Sequence, residues 1–201
     1  MYQNFCYSPL ALGATVQQPP PPEDPVLLGE EPNGGGGELH EAPPHDQPPI
    51  IVLTEAEGYS FETGKADITA EFSDALTTKI IPNLKAFTKQ YNCDVIEVIG
   101  HTDGQPVAAK SNLDAHLNRA LNGETVPLIP GSNADLGLMR AWSVIRLLRE
   151  IEEFQGKGFY GYSAGQAILQ DGRYAAPYEV APNASRQRIE IRLRRSPPRP
   201  S

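Results

Sequence analysis

The sequence predicts an α/β fold, a two-layer sandwich with helices packed on one mixed β-sheet. Three observations predict it. Ile50–Leu53 and Val95–Ile99 are short apolar runs rich in β-branched residues, and Arg188–Leu193 alternates strictly between charged and apolar. Both patterns read as strands. Apolar side chains recur every three to four residues after Thr69 and after Asn133, the spacing of amphipathic helices. Strand and helix then alternate along the chain, which favours helices laid over a single sheet.

The elements follow in order. Ile50-Ile51-Val52-Leu53 begins the ordered region, and a turn-rich stretch runs from Tyr59 to Ile68. Thr69 is placed to cap a helix carrying Phe72, Leu76, Ile80 and Leu84, with Ala75 and Phe87 on nearby faces. Pro82 lies inside that pattern and predicts a kink or break near Ile81. Val95 to Ile99 is apolar almost throughout, as expected of a central strand covered on both faces. It runs into Gly100-His101-Thr102-Asp103-Gly104. Residues 104–132 read as a long insertion with a short helix from Leu113 to Leu121. Loops of that length in small domains are often functional. Asn133 starts the clearest helix, with Leu136, Met139, Trp142 or Ser143, Ile145 or Leu147, and Leu148 along its core stripe. Phe159–Tyr162 reads as a short strand, a second loop passes Pro177 and Pro182, and Arg188–Leu193 closes the domain.

Composition separates this domain from its ends. Residues 1–49 hold 11 of the 20 prolines, seven acids and neither Lys nor Arg. They contribute −7 to a net charge of −8, so the remainder, with 17 basic and 18 acidic residues, is nearly neutral. The domain boundaries expected are a disordered Pro/Gly-rich acidic tail over 1–49, an ordered domain over 50–195, and a second disordered tail over 196–201. Without basic excess, nothing marks a surface for nucleic acid. No stretch approaches the ~18 apolar residues that span a bilayer, and the first residues do not read as a secretory signal. Of the two cysteines, Cys6 falls in the tail and Cys93 reads as a buried small residue, so no disulfide framework is expected.

Two charged residues stand out. Asp103 follows a buried strand between flexible glycines, where ligands often bind in α/β sheets; an Asp-Gly pair is also an ordinary turn. Arg140 lies among Leu136, Met139 and Ala141 on a helix, and a guanidinium there needs a partner or a route to solvent. A structural salt bridge to Asp103 would meet that need. A carboxylate and a guanidinium at one cleft could equally hold a zwitterion, the acid taking an ammonium and the fork gripping a carboxylate.

Three motifs in order extend the pattern: Val98-Ile99-Gly100-His101-Thr102-Asp103, then Asn133-Ala134-Asp135-Leu136-Gly137-Leu138-Met139-Arg140-Ala141-Trp142-Ser143-Val144, then Arg188-Ile189-Glu190-Ile191-Arg192-Leu193. Together they resemble the peptidoglycan-binding domain of the outer membrane protein A (OmpA-like) and MotB-like group over nearly the whole ordered region, and Tyr59–Ile68 resembles the family's stretch after its first strand. The resemblance implies non-covalent binding of peptidoglycan through the diaminopimelate of the stem peptide. By position it assigns Asp103 and Arg140 to the ligand, Thr102, Asn133 and Leu136 to the same groove, and Arg188 to its support. It implies a cell-envelope, periplasmic location, no catalysis, no cofactor and no metal. As partners it implies peptidoglycan and a membrane channel or envelope complex, and it is compatible with a homodimer. Two departures accompany it. Gly137 stands where the family usually has Ser, and the 104–132 connection is longer than usual, long enough to cover or gate the groove.

Two rivals remain open at this stage. One is a stator-like or envelope-complex assembly module that does not bind the wall. The other is a metal-dependent hydrolase using His101, Asp103 and His116. Its ligand set is thin, because two of the four histidines, His40 and His45, lie in the tail. No nucleophile elbow or phosphate loop is present in the sequence.

Overall fold

The computed structural model describes residues 15–17, 47–176 and 180–197. The strands are β1 (Thr15–Gln17), β2 (Ile50–Thr54), β3 (Val95–His101), β4 (Gly158–Gly165) and β5 (Arg188–Arg194). The helices are α1 (Ala70–Ala75), α2 (Ile81–Gln90), α3 (Leu113–Leu121) and α4 (Asn133–Arg149), with a π-turn at Leu76–Ile80 and 3-10 turns at Glu55–Glu57 and Glu152–Phe154.

The sheet runs β1-β2-β5-β3-β4. All neighbours are antiparallel except β3 and β4, which are parallel and joined by a crossover that contains α4. It is the mixed sheet with overlying helices that the sequence patterns predict. Alternation divides the faces. Ile51 and Leu53, Ile96 and Val98, and Ile189, Ile191 and Leu193 meet Phe72, Leu76, Ile80, Leu84, Val144, Ile145 and Leu148 in one core, and Cys93 is buried in it. Each such large side chain contributes roughly 1.5–3 kcal/mol by leaving water.

Pro82 neither breaks the first helix nor leaves it unaltered. Thr69 Oγ1 accepts from Phe72 N at 3.1 Å and caps α1. The chain then widens into the π-turn just before Pro82, which sits in the first turn of α2. The wider turn accommodates a ring that lacks an N–H and would crowd the preceding carbonyls.

The tail expected over 1–49 meets the described residues at two places. Thr15–Gln17 pairs with Ile50–Val52 as an edge strand. Residues 47–49 lead directly into β2. The rest of that tail lies outside the described residues, as do 198–201 of the C-terminal tail.

The 104–132 segment is a packed wall rather than a loose loop. Asn112 ties its two arms together: Nδ2 donates to Pro127 O at 3.0 Å, and Oδ1 accepts from Ile129 N at 2.8 Å. Leu113 of α3, with Val107, Leu117 and Leu128, packs on Leu136, Leu138 and Met139 of α4 and on Ala66 in a second, smaller core.

Candidate ligand site

The site forms where α4 starts against the end of β3. Contact there is backbone to backbone. A Cβ on Gly100 would lie 1.9 Å from Gly137 O, and one on Gly137 would lie 2.4 Å from Ser163 Oγ and 2.8 Å from Gly100 O. Glycine at 137, the departure from the resembled family, is therefore what lets helix and strand touch. Beyond this contact β4 carries an extra residue, so that Gly100 pairs with Ser163 but His101 with Gly165. Gly165 takes φ +50, a left-handed conformation that favours glycine. Thr102 N donates to Gly165 O at 2.8 Å, which fixes the direction in which the chain leaves the sheet.

Asp103 comes next and is buried. Its Oδ1 accepts from Gln105 N at 3.1 Å, and its Oδ2 accepts from Asn183 N at 3.2 Å and from Gln187 Nε2 at 3.1 Å. A carboxylate has about four acceptor positions, so about one is left.

Ser132 caps α4, its Oγ accepting from Asp135 N at 3.1 Å. On the first turns of that helix Asn133, Leu136 and Arg140 face the same side. Asn133 Nδ2 donates to Gln105 O at 2.9 Å. Arg140 is buried, its guanidinium 4.9 Å from the Phe61 ring centroid. Nε donates to Lys65 O at 3.0 Å and Nη1 to Gln187 Oε1 at 2.8 Å. Among the described residues Nη2 makes no hydrogen bond. Burial pushes the Arg140 pKa down to about 10, against the opposing pull of Glu55 and Asp103.

Asp103 and Arg140 are thus brought together, but not as the direct salt bridge that their charges suggested. Gln187 stands between them, its amide oxygen on the guanidinium and its amide nitrogen on the carboxylate. Sequence reading missed Gln187, the residue just before β5, because a neutral side chain beside a strand carries no pattern of its own. It missed Glu55 too. Burial raises the pKa of that carboxyl, with Arg140 lowering it and Asp103 raising it in turn. Glu55 N donates to Gln187 O at 3.0 Å, so it belongs to the same cluster.

A cavity of about 440 Å³ opens over this cluster. Asp103, Arg140, Thr102, Asn133 and Leu136 all line it, with Gln187 and the arms of the 104–132 segment around Gln105 and Pro130. Thr102 is buried, and among the described residues its Oγ1 has no hydrogen-bond partner. The arrangement offers one carboxylate position and part of a guanidinium to whatever enters.

No protein-family model matches the chain, and neither does any curated protein. Solved structures do match. The periplasmic domain of Helicobacter pylori MotB is 18% identical, with 74% of this chain and 76% of that one covered and a TM-score of 0.47. The cell wall anchor of the Pseudomonas aeruginosa T6SS is 18% identical over 75% of this chain and 83% of that one, with a TM-score of 0.45. The OmpA-like domain of Francisella tularensis FopA1 is 16% identical over 75% and 79%, with a TM-score of 0.38. The domain is similar to MotB-like and OmpA-like domains.

Arg188, assigned to the site by position, is not brought to the cavity. Its side chain leaves β5 on the face opposite the core. There Nε and Nη2 donate to Glu190 Oε1 at 3.1 and 3.0 Å, and Nη1 and Nη2 reach Ile168 O and Leu169 O at 3.3 and 3.1 Å. Period-two geometry decides this, since adjacent strand residues point to opposite faces. Arg188 instead fastens Ile168 and Leu169 to the sheet. His101 is on that face too, Nε2 lying 3.0 Å from Glu190 Oε1 but off the line of a hydrogen bond. Burial would raise the pKa of Glu190, but His101, Arg192 and Arg188 hold it down to about 2. His101 therefore faces away from Asp103. Among the described residues no group of three His, Cys, Asp or Glu side chains could hold a metal ion.

Proposed function

We propose that this domain binds peptidoglycan without covalent bonds, through the zwitterionic end of diaminopimelate in the stem peptide, and so anchors a larger envelope assembly to the cell wall. The supporting observation is the unspent bonding capacity in the cavity. Arg140 has five N–H donors and uses two. Asp103 keeps about one acceptor position among the described residues. The ligand's carboxylate takes the guanidinium, and its ammonium takes Asp103.

Charge agrees with this order. With Glu55 ionised, Glu55, Asp103 and Arg140 sum to −1, so the cluster favours a ligand that brings an ammonium as well as a carboxylate. Leu136 and the apolar rim exclude water and strengthen both contacts. The structural neighbours named for wall anchoring or for a periplasmic place are consistent with an envelope location. Among the described residues no helix is long and apolar enough to cross a membrane.

The test is co-sedimentation with insoluble peptidoglycan, alongside calorimetric titration with meso-diaminopimelate. Asp103→Ala and Arg140→Ala should each lose binding by about 2–5 kcal/mol, since the partner charge is left buried and unmatched. Arg140→Lys should also bind poorly, because an ammonium cannot reproduce the fork. The double Ala variant should be little worse than either single one. Full binding by a folded Asp103→Ala protein refutes the reading.

A further inference from the structure

β4 is the outermost strand of the sheet, with β3 on one side and, among the described residues, no strand on the other. Its backbone leaves that other side open. Gly158 N donates to Asp94 O at 2.8 Å, which sets the phase of the ladder. Peptide groups alternate in direction along a strand, so Gly158, Tyr160 and Tyr162 bond to β3 while Phe159, Gly161 and Ser163 point theirs away from the sheet. Natural edges are usually guarded by charge, by proline or by shortness. β4 has eight residues, Gly158–Gly165, with neither a charge nor a proline among them. Its extra residue falls only at the end, after Ser163. The turn that follows folds toward β5, where Ile168 O and Leu169 O meet Arg188, and so away from the edge.

Both faces beside this edge are apolar or aromatic. Tyr160 and Tyr162 stand on the face opposite the core, 47% and 44% exposed. On the core face α4 leans over the strand. A Cβ on Gly161 would meet Ile145 Cδ1 at 3.2 Å and Leu138 Cδ1 at 3.9 Å, and one on Gly165 would lie 3.5 Å from Ala134 N. Ala134, Leu138 and Ile145 therefore form the flank of the helix above β4. Arg149, at the end of that flank, is drawn onto the rings of Trp142 and Phe159, 4.8 and 5.7 Å from their centroids.

We infer that β4 pairs with the β4 of a second copy of this chain, antiparallel about Gly161, so that the two sheets become one. Self-complementarity assigns the occupant, because a two-fold interface must fit the same patch to itself. With Gly161 on the axis, Tyr160 of each copy falls opposite Tyr162 of the other. These are the closer, non-hydrogen-bonded positions, where aromatic side chains pair well. Phe159, Gly161 and Ser163 then exchange about six backbone hydrogen bonds across the axis. The helices agree with this register. Gly137 touches both Gly100 and Ser163, so α4 lies over the seam between β3 and β4. Two strand spacings, about 10 Å, then separate α4 from its copy, which is an ordinary helix-packing distance. Leu138 and Ile145, which meet Gly161, flank the axis. No residue of β4 lines the cavity over Asp103 and Arg140, so each copy keeps that cavity open. The inference stands on β4 and its flank and does not depend on what the cavity binds.

Sedimentation equilibrium of the full-length protein, across about 1–100 μM, tests the inference, with circular dichroism to check the fold of each variant. The wild type should be a dimer at the upper end. Changing Tyr160→Lys and Tyr162→Lys together sets like charges opposite each other at both pairs and should raise the dimer Kd about tenfold or more. Changing Tyr160→Lys and Tyr162→Glu together sets opposite charges there and should return the Kd to within about threefold of wild type. A merely structural role for the tyrosines would not distinguish these two proteins. Gly161→Pro removes an N–H that points away from β3, so the domain should fold while the dimer is lost. The added ring meets the end of the Ile145 side chain, which can shift. A wild type that stays monomeric throughout overturns the inference and leaves the edge to some other extended segment. So does a dimer that persists in both the double Lys protein and Gly161→Pro. Loss of the dimer in the Lys/Glu protein as in the double Lys protein overturns the register about Gly161, and the inference with it.

Discussion

Replacing Gly100 by Ala tests the contact on which the whole site depends. The new Cβ would sit 1.9 Å from Gly137 O, whereas ordinary van der Waals contact begins near 3.4 Å. About 1.5 Å of separation must come from somewhere, and the neighbour is helix backbone rather than a side chain that can swing away. The start of α4 must lift off β3, carrying Asn133, Leu136 and Arg140 away from Asp103. Overpacking of this kind costs about 1–3 kcal/mol, more where backbone has to shift. With no clash the sign would reverse, because Gly→Ala at a compatible position stabilises by about 0.4–1 kcal/mol through the unfolded chain. The expected loss is about 3 kcal/mol, which lowers Tm by roughly 6–12 °C in a chain of this size. Binding sites need their groups held within about 0.5 Å, so peptidoglycan binding should fall as well. Thermal unfolding followed by circular dichroism measures the first effect, and co-sedimentation below the transition measures the second. An unchanged or raised Tm would show that α4 does not rest on Gly100, and the account of how the site is assembled would be wrong.

Gln187→Ala removes a neutral bridge from between two charges, so affinity for diaminopimelate should fall by about tenfold, as expected for lost hydrogen bonds to charged groups; calorimetry showing equal affinity would make Gln187 a bystander. Glu190 is held down to about 2 from 4.5, so its stabilisation is fully present above about pH 4.5 and is lost as pH falls through 2. Urea unfolding between pH 6 and pH 2 should reveal a contribution of at most about 3 kcal/mol, and Glu190→Gln should flatten the curve; parallel curves for the two proteins would contradict the shift. Asn112→Ala cuts the ties between the two arms of the 104–132 segment, at a cost of about 1–2 kcal/mol. Limited proteolysis should then cleave within that segment sooner, while β-sheet unfolding stays close to wild type; unaltered cleavage would mean the apolar contacts alone hold the wall.

Periodicity and punctuation made the fold readable in one dimension. Thr69 and the four-residue spacing from Phe72 to Leu84 mark a helix by local chemistry, and the alternation of Arg188–Leu193 marks a strand by geometry. Even the short helix Leu113–Leu121 falls where its apolar residues placed it. Asp103 and Arg140 were legible as well, one a carboxylate at a strand end and the other a charge in an apolar stripe. What surrounds them was not. Gln187 and Glu55 reach the cluster from segments more than 40 residues away from either partner, and neither has a local signature. Arg188 shows the converse. The family resemblance assigned it to the site's support, but one step along a strand reverses the face, and only the register of β5 against β2 and β3 decides which face is which. The close approach of Gly100 and Gly137 likewise arises between segments distant in sequence. Local propensity sets where elements begin and end; packing between elements sets which side chains share a cavity, because it depends on distances that no single stretch of chain contains.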